Sequence, residues 1–354
     1  MSADIHDDVR PQKRPRTTDS DAPPQSSTIG ITDLDSLKHH EEFWFDDGSI
    51  VLIAGHTAFR VYRALLAAQS TIFTNMLSSS TPDAEEMVEG CPVVHISDSP
   101  EDVAHFLRVL LPKSQRTLFS REFSFSFHQI SAIIRLAHKY HVQDVLDQAI
   151  ASLREYFTSN FEVWESHTNQ GIIKFRPQQA IGIVNLARLV DRPSLLPTAL
   201  YKCALLGRDV LNGYKREDKT VEHLPRKDAK RCIDGRIKLA EEALAIIAEV
   251  FTTQPCEACK NGPMPCRAVL QAMLGDAVGY KGALSPSVLR SWKEVVSDWA
   301  QELGLCDLCE KAAIHRDFKA RKRVWDSLPK IFDVDVDGWV PSGGDGGDAA
   351  AATT

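Results

Sequence analysis

The chain has 354 residues, of which 25% are charged and 43% hydrophobic, and its formal net charge is −7. This length allows two domains of ordinary size, and the composition is that of a soluble globular protein. The negative balance gives no general attraction to nucleic acid, which is therefore not the expected partner. No apolar run approaches a membrane span and the N-terminus lacks the core of a secretory signal, so we expect a cytoplasmic or nuclear protein. The eight cysteines should then be mostly reduced.

Both ends of the chain are predicted to be disordered. Residues 1–35 are rich in Pro, Ser, Thr and Asp and cannot bury enough apolar surface to offset the entropy of ordering. Residues 340–354 are rich in Gly and Ala. The basic tract Lys13–Arg16 fits either a nuclear localisation signal or a solvated tail.

Residues 59–77 are predicted to form a strand followed by a helix, and the other predicted elements of this region lie on either side of them in the sequence. Ser49–Ala54 and Ala58–Tyr62 are rich in β-forming residues and are separated by a Gly-His turn, which predicts a hairpin. Apolar or small residues then recur at helical spacing and predict a helix. These residues are Leu66, Ser70, Phe73 and Leu77.

The clearest helix start in the chain is at Ser99. Ser99 can cap the helix, Pro100 suits its first position, and Asp102 approximates the acidic residue of a capping box. One apolar face follows, formed by Val103, Phe106, Leu107, Leu110 and Leu111. Two further helices are predicted from the faces Ile130, Ile133, Ile134 and Ala137, and Val145, Leu146, Ala149, Ile150 and Leu153.

Two strings in this part of the chain, FRVYRALLAAQSTIFTNML and ISAIIRLAHKYHVQDVLDQAIASL, resemble the signature and the closing helices of the BTB/POZ domain. The resemblance implies an α+β fold at residues 39–158, in which a small β-sheet is flanked by helices. It also implies a non-enzymatic protein-interaction module. The expected core signature consists of Phe59, Val61, Leu65, Leu66, Ala67, Ser70, Phe73 and Met76.

Dimeric BTB domains carry a charged pocket, and the resemblance places Asp47 (or Asp46) and Arg63 in it. An ordinary solvated pair is the alternative, and such a pair contributes under about 1 kcal/mol. Tyr62 stands where the family usually has histidine. The long N-terminal helix that many dimeric members exchange has only a short candidate at residues 34–45, which puts homodimerisation in doubt.

Adaptors of cullin-type ubiquitin ligases often carry an apolar-x-Glu triplet in the loop before the second pair of strands. The triplet Met87–Glu89 fits this pattern in type and place, although a solvated acidic loop gives the same residues by chance. The usual Tyr-Thr-Gly after the capped helix is replaced by Leu111, Pro112 and Lys113, which speaks against the adaptor.

Residues 159–339 are predicted to be mainly helical. One face is expected from Ile181, Val184 and Ala187, and the apolar segment 195–206 is broken by Pro197. Residues 215–230 are expected to form a charged loop. Two amphipathic helices follow, with the faces Ile233, Ile237, Ala240, Leu244, Ile247 and Phe251, and Leu289, Trp292, Val296, Trp299 and Leu303.

Two CxxC pairs in this helical region suggest a structural zinc site. Cys256, Cys259, Cys306 and Cys309 provide four thiolates, the number that a tetrahedral zinc takes, and Cys266 or His315 can replace one of them. The alternative is that these cysteines are small buried hydrophobes. A redox role is less favoured, because neither pair follows a strand of a thioredoxin-like unit.

The same region contains the string Trp325–Phe332, which together with the cysteines resembles the C-terminal regions of uncharacterised BTB proteins of mushroom-type (basidiomycete) fungi. That resemblance implies no activity. Catalysis finds no support, because the chain has no phosphate-binding loop, nucleophile elbow or HExxH pair. Cys91 and His95 have no third group to orient the histidine, so we interpret them as a coincidental pair.

The sequence therefore favours an intracellular adaptor that binds proteins through its BTB domain and recruits another through the helical region, with a cullin scaffold as one partner. The alternative is a nuclear transcriptional or chromatin regulator that oligomerises through the BTB domain. A purely structural scaffold is a third option.

Overall fold

The computed structural model describes residues 37–78, 86–111, 125–166, 173–279 and 283–339. The two predicted tails, the basic tract Lys13–Arg16 and the pair Pro112 and Lys113 lie outside the described residues. None of the helices within the described ranges is long and apolar enough to cross a membrane.

A five-stranded sheet begins the described chain. Its strands are β1 (Lys38–Trp44), β2 (Ile50–Ala54), β3 (Thr57–Val61), β4 (Met87–Val88) and β5 (Cys91–Ile96). They are arranged in the order β1-β3-β2-β5-β4, with β2 in the centre and all five of its residues buried. The hairpin predicted from the sequence is present, since β2 and β3 pair antiparallel across the turn at Gly55. Strand β1 pairs parallel with β3, and β5 pairs parallel with β2.

The segment 34–45, the short candidate for the exchanged N-terminal helix, forms a strand in its described part. Lys38–Trp44 forms an edge strand, and its Phe43 side chain is completely buried. Aromatic residues favour the pleated, half-buried surface of a strand. The free edge of β3 supplies the partner that the local sequence pattern does not reveal.

Five helices flank this sheet or follow it. They are α1 (Arg63–Gln69), α2 (Thr71–Ser78), α3 (Pro100–Leu110), α4 (Phe127–Lys139) and α5 (Gln143–Tyr156). The single helix predicted after β3 is in fact two, because Ser70 is extended (φ −150°, ψ 125°). The Ser70 hydroxyl donates to the carbonyl of Tyr140 and accepts the N–H of Phe73, so it ends α1 and caps α2.

Helix α3 begins as predicted. The Ser99 hydroxyl accepts the N–H of Asp102 at 3.2 Å, and the predicted apolar face from Val103 to Leu111 is buried. The carboxylate of Asp102 does not complete a capping box. It pairs instead with Arg216, far along the chain.

The second half of the chain is mostly helical. Its helices are α6 (Phe161–Ser166), α7 (Ala180–Leu189), α8 (Leu196–Leu205), α9 (Arg226–Val250), α10 (Pro263–Gly279), α11 (Lys293–Leu303), α12 (Asp307–Asp326) and α13 (Leu328–Ile331). Short two-residue strands form two further pairs, β6 (Phe125–Ser126) with β7 (Ile173–Lys174), and β8 (Tyr214–Lys215) with β9 (Val221–Glu222). Single 3₁₀ turns lie at Pro177–Gln179, Pro193–Leu195 and Gly207–Asn212.

Three details of the predicted second half differ from the structure. Pro197 does not break its segment, because it lies in the first turn of α8, where its missing N–H costs no helical hydrogen bond. The predicted charged loop at 215–230 forms the β8–β9 hairpin and the first turn of α9. Helix α11 begins only at Lys293, and its last residue Leu303 is 38% exposed.

Helix α9 exists as predicted, but three of the six residues of its predicted buried face are exposed. Ile233, Ile237 and Leu244 are 48%, 59% and 46% exposed, whereas Ile247 and Phe251 are buried. The buried stripe is displaced by about one residue and contains several small side chains. It consists of Cys232, Gly235, Leu239, Ala243, Ile246 and Val250. Small residues allow neighbouring elements to approach closely, and Phe332 packs directly on Gly235.

The β8–β9 hairpin connects the two halves of the chain through ion pairs. Arg216 pairs with Asp102 of α3, and Glu222 accepts from Arg135 of α4 at 2.6 Å. These side chains are half-buried, so their charges are less screened than those of an exposed pair. The hairpin therefore fixes the helical region against the N-terminal sheet and helices.

Candidate metal centre and interaction surfaces

Five cysteines converge where the loop between α9 and α10 meets the start of α12. The Sγ atoms of Cys259, Cys266, Cys306 and Cys309 all lie within 4.8 Å of one another. Cys259 lies in the loop, Cys266 in the first turn of α10, Cys306 at the N-cap of α12 and Cys309 in its first turn. Cys256 stands outside this group of four, with its Sγ 3.6 Å from that of Cys309.

The two CxxC pairs thus come together as the zinc prediction requires, but the group of four differs from the predicted one by one residue. Cys266 takes the place of Cys256. Its signal in the sequence is weak, because it belongs to no CxxC pair, and the packing of α10 against α9 and α11 brings it in. His315, the other suggested substitute, is exposed on α12 and lies outside the group.

The geometry of this cysteine cluster fits a tetrahedral metal. Thiolates bound to zinc at about 2.3 Å lie about 3.8 Å from one another. The Sγ atoms of Cys259 and Cys306 are 3.8 Å apart. Cys266, Cys306 and Cys309 are buried and Cys259 is partly exposed, an arrangement that suits a closed structural site rather than an open catalytic one. All-thiolate donor sets select zinc and other soft metals.

The cysteine thiols of the cluster differ in how their surroundings shift their pKa values. Burial opposes ionisation of Cys306, but the backbone N–H groups of Cys309 and Lys260 point at its sulfur and hold its pKa at about 6. Burial raises the pKa of Cys266 and of Cys309. Ionisation is therefore easiest at Cys306 and is opposed at Cys266 and Cys309, so a metal that binds these thiolates must displace protons.

A first candidate interaction surface lies at the opposite edge of the sheet from β1. Met87 of β4 is 53% exposed, which is unusual for a large apolar side chain. Glu89 and Gly90 both have positive φ and form the two-residue turn into β5. The Glu89 carboxylate, itself half exposed, accepts from Arg60 of β3 at 2.9 Å. The predicted triplet Met87–Glu89 is thus displayed on the surface and held in place.

The residues expected to form a charged pocket are not brought together within one chain. Asp47 accepts a hydrogen bond from the Tyr62 hydroxyl at 2.6 Å, and this bond raises the pKa of Tyr62. The guanidinium of Arg63 donates to the carbonyl of Leu77 instead. Tyr62, which stands where the family usually has histidine, is therefore the hydrogen-bond partner of Asp47.

Most of the expected core signature is buried. Phe59, Val61, Leu66, Ser70 and Phe73 have 3% exposure or less. Ala67 and Met76 are half-buried. Leu65 is a correction, since it is 36% exposed on the outer side of the short helix α1.

The comparisons with known proteins agree with this architecture. Residues 37–156 match the family model of the BTB/POZ domain. A search of curated proteins gave no match. The match spans the five-stranded sheet and helices α1 to α5, and it includes the Met87–Glu89 triplet. The chain therefore carries a BTB/POZ domain, which is a protein-interaction domain, followed by a mostly helical region that contains the cysteine cluster.

Proposed function

We propose that this protein is a non-enzymatic adaptor whose BTB domain binds a cullin-type scaffold and whose helical region recruits a second protein. The observation that carries the proposal is the display of Met87 beside Glu89 at the β4 edge. An exposed apolar side chain next to a fixed carboxylate offers a partner one hydrophobic anchor and one directional charge. Methionine is enriched at interfaces, and a charged group fixes the register of a partner.

The test is binding of the purified full chain to a cullin scaffold. The double variant Met87→Ala/Glu89→Lys should weaken binding by at least about tenfold, because it removes the anchor and reverses the charge. Glu86→Lys is the matched control, since Glu86 is exposed on the same edge and its carboxylate pairs with the exposed His95. Equal binding by the double variant and the wild type, or no binding by either, would eliminate the cullin adaptor.

The mass of the same sample in solution addresses the alternative regulator that oligomerises through its BTB domain. A dimer whose mass falls to that of a monomer in Arg63→Ala would support a role for this residue between chains. A monomeric wild type would contradict the dimeric regulator.

We also propose that Cys259, Cys266, Cys306 and Cys309 hold one structural zinc. The support is the mutual distance of the four sulfurs together with their burial. Such a zinc would tie the α9–α10 loop and the start of α10 to the start of α12.

Zinc content of the dialysed full chain tests this site, with about one zinc per chain expected for four thiolate ligands. Cys266→Ser should lose most of the metal. Cys91→Ser is the control, because Cys91 is a buried thiol elsewhere that donates to the carbonyl of Gly48, a bond that serine can keep. A zinc-free wild type would refute the site.

A further inference from the structure

The cysteine cluster contains five sulfurs, one more than a tetrahedral metal can use. Four of them form the mutually close group, and Cys256 touches this group only at its edge, 3.6 Å from Cys309. The proposed zinc therefore does not require Cys256, whose partly buried side chain packs against the core.

Cys256 is also more accessible than the ligand it touches, and it lies outside regular secondary structure. It is partly exposed and lies in the irregular segment between α9 and α10, whereas Cys309 is 1% exposed and fixed in the first turn of α12. A disulfide requires the two sulfurs to approach to about 2.05 Å, so they must close by about 1.5 Å. A loop residue can make this movement without displacing a helix.

We propose that Cys256 is an oxidation site, at which hydrogen peroxide converts Cys256 and Cys309 into a disulfide and thereby releases the metal. The inference rests on the proposed zinc site. In the first step the Cys256 sulfur attacks one peroxide oxygen, the O–O bond breaks, and a sulfenic acid and one water form. In the second step the Cys309 thiolate attacks this sulfur, the S–O bond breaks, and hydroxide leaves and takes a proton to become a second water. Two electrons pass from the two sulfurs to the peroxide.

The consequence is that three thiolates remain where four held the metal. Because a structural zinc site depends on its full ligand set, the metal leaves and the α9–α10 loop loses its connection to Cys259, Cys266 and Cys306. A thiol reductant restores both cysteines and allows zinc to bind again.

The experiment follows zinc release from the zinc-loaded full chain with a colorimetric chelator after addition of hydrogen peroxide. The wild type should release its zinc, and peptide mass mapping should show the Cys256–Cys309 disulfide. Cys256→Ser should keep the same zinc content but release it on the order of tenfold more slowly, because the exposed thiol that reacts first is gone. Cys91→Ser is the control and should behave as the wild type.

Three outcomes would overturn the inference. Loss of zinc from Cys256→Ser, with circular dichroism unchanged, would make Cys256 a ligand and not a spare thiol. Equal release rates for the wild type and Cys256→Ser, or a disulfide between other cysteines, would refute Cys256 as the oxidation site while leaving the zinc proposal intact. A zinc-free wild type would refute the zinc site itself.

Discussion

Helix α9 passes very close to the C-terminal segment at Gly235. A Cβ added there would lie 2.4 Å from Cε1 and 2.7 Å from Cδ1 of the Phe332 ring. Carbon atoms pack at about 3.5–4.0 Å, so the ring would have to move by about 1 Å. Phe332 has no exposed surface and therefore no free space to move into.

The substitution Gly235→Ala sets two effects of opposite sign against each other. Alanine is favoured over glycine in a helix by about 1 kcal/mol, whereas overpacking a filled core costs about 1–3 kcal/mol. We expect the clash to dominate and the free energy of unfolding to fall by about 1 kcal/mol. Gly275→Ala in α10 is the matched control, because nothing lies within 4 Å of its added Cβ. This control should raise the free energy of unfolding by up to about 1 kcal/mol.

Urea unfolding followed by circular dichroism and tryptophan fluorescence measures both variants. Adding Phe332→Leu to Gly235→Ala should cost less than the sum of the two single changes, because the smaller side chain relieves the contact. If Gly235→Ala raised the unfolding midpoint as Gly275→Ala does, the close packing of Phe332 on α9 would be wrong.

Two further predictions concern a helix cap and a buried ion pair. Ser99→Ala removes the acceptor for the N–H of Asp102 and should lower stability by about 1 kcal/mol, as read from the thermal midpoint, with Ser99→Thr as a control that keeps most of it. An unchanged midpoint would show that the cap contributes nothing. Arg321 is 3% exposed and bridges Asp317 and Glu165, so Arg321→Leu should cost about 3–5 kcal/mol by leaving the Asp317 carboxylate buried without its cation. Burial already raises the pKa of Asp317. A carboxyl group whose pKa is higher in the folded chain than in the unfolded chain adds to the free energy of unfolding at low pH. This contribution is lost as the pH rises through the folded pKa. Arg321 lowers the pKa of Asp317, so its removal raises this pKa further, and the deficit of the variant should shrink as the pH is lowered from neutrality towards that pKa. A deficit that grows on acidification would contradict this reasoning.

The elements whose signals are local could be predicted from the sequence. The β2–β3 hairpin follows from two β-rich runs and a Gly-His turn, and α3 follows from the cap at Ser99 and an apolar face. The BTB resemblance also rests on contiguous strings. The convergence of the two CxxC pairs was predictable in the same way, because two thiols three residues apart can hold one metal wherever the chain takes them.

Features that depend on residues distant in the sequence could not be predicted from it. Residues 38–44 become a strand because β3 offers a free edge, and α9 buries its small residues because Phe332 approaches at Gly235. The exposed apolar residues of α9 follow helical spacing as well as its buried residues do. Periodicity predicts that a helix has an apolar face, but it does not show which residues another element will cover. Cys266 takes the place of Cys256 in the group of four close sulfurs for the same reason. Its position is set by how α10 packs, and spacing along the chain carries no information about that packing.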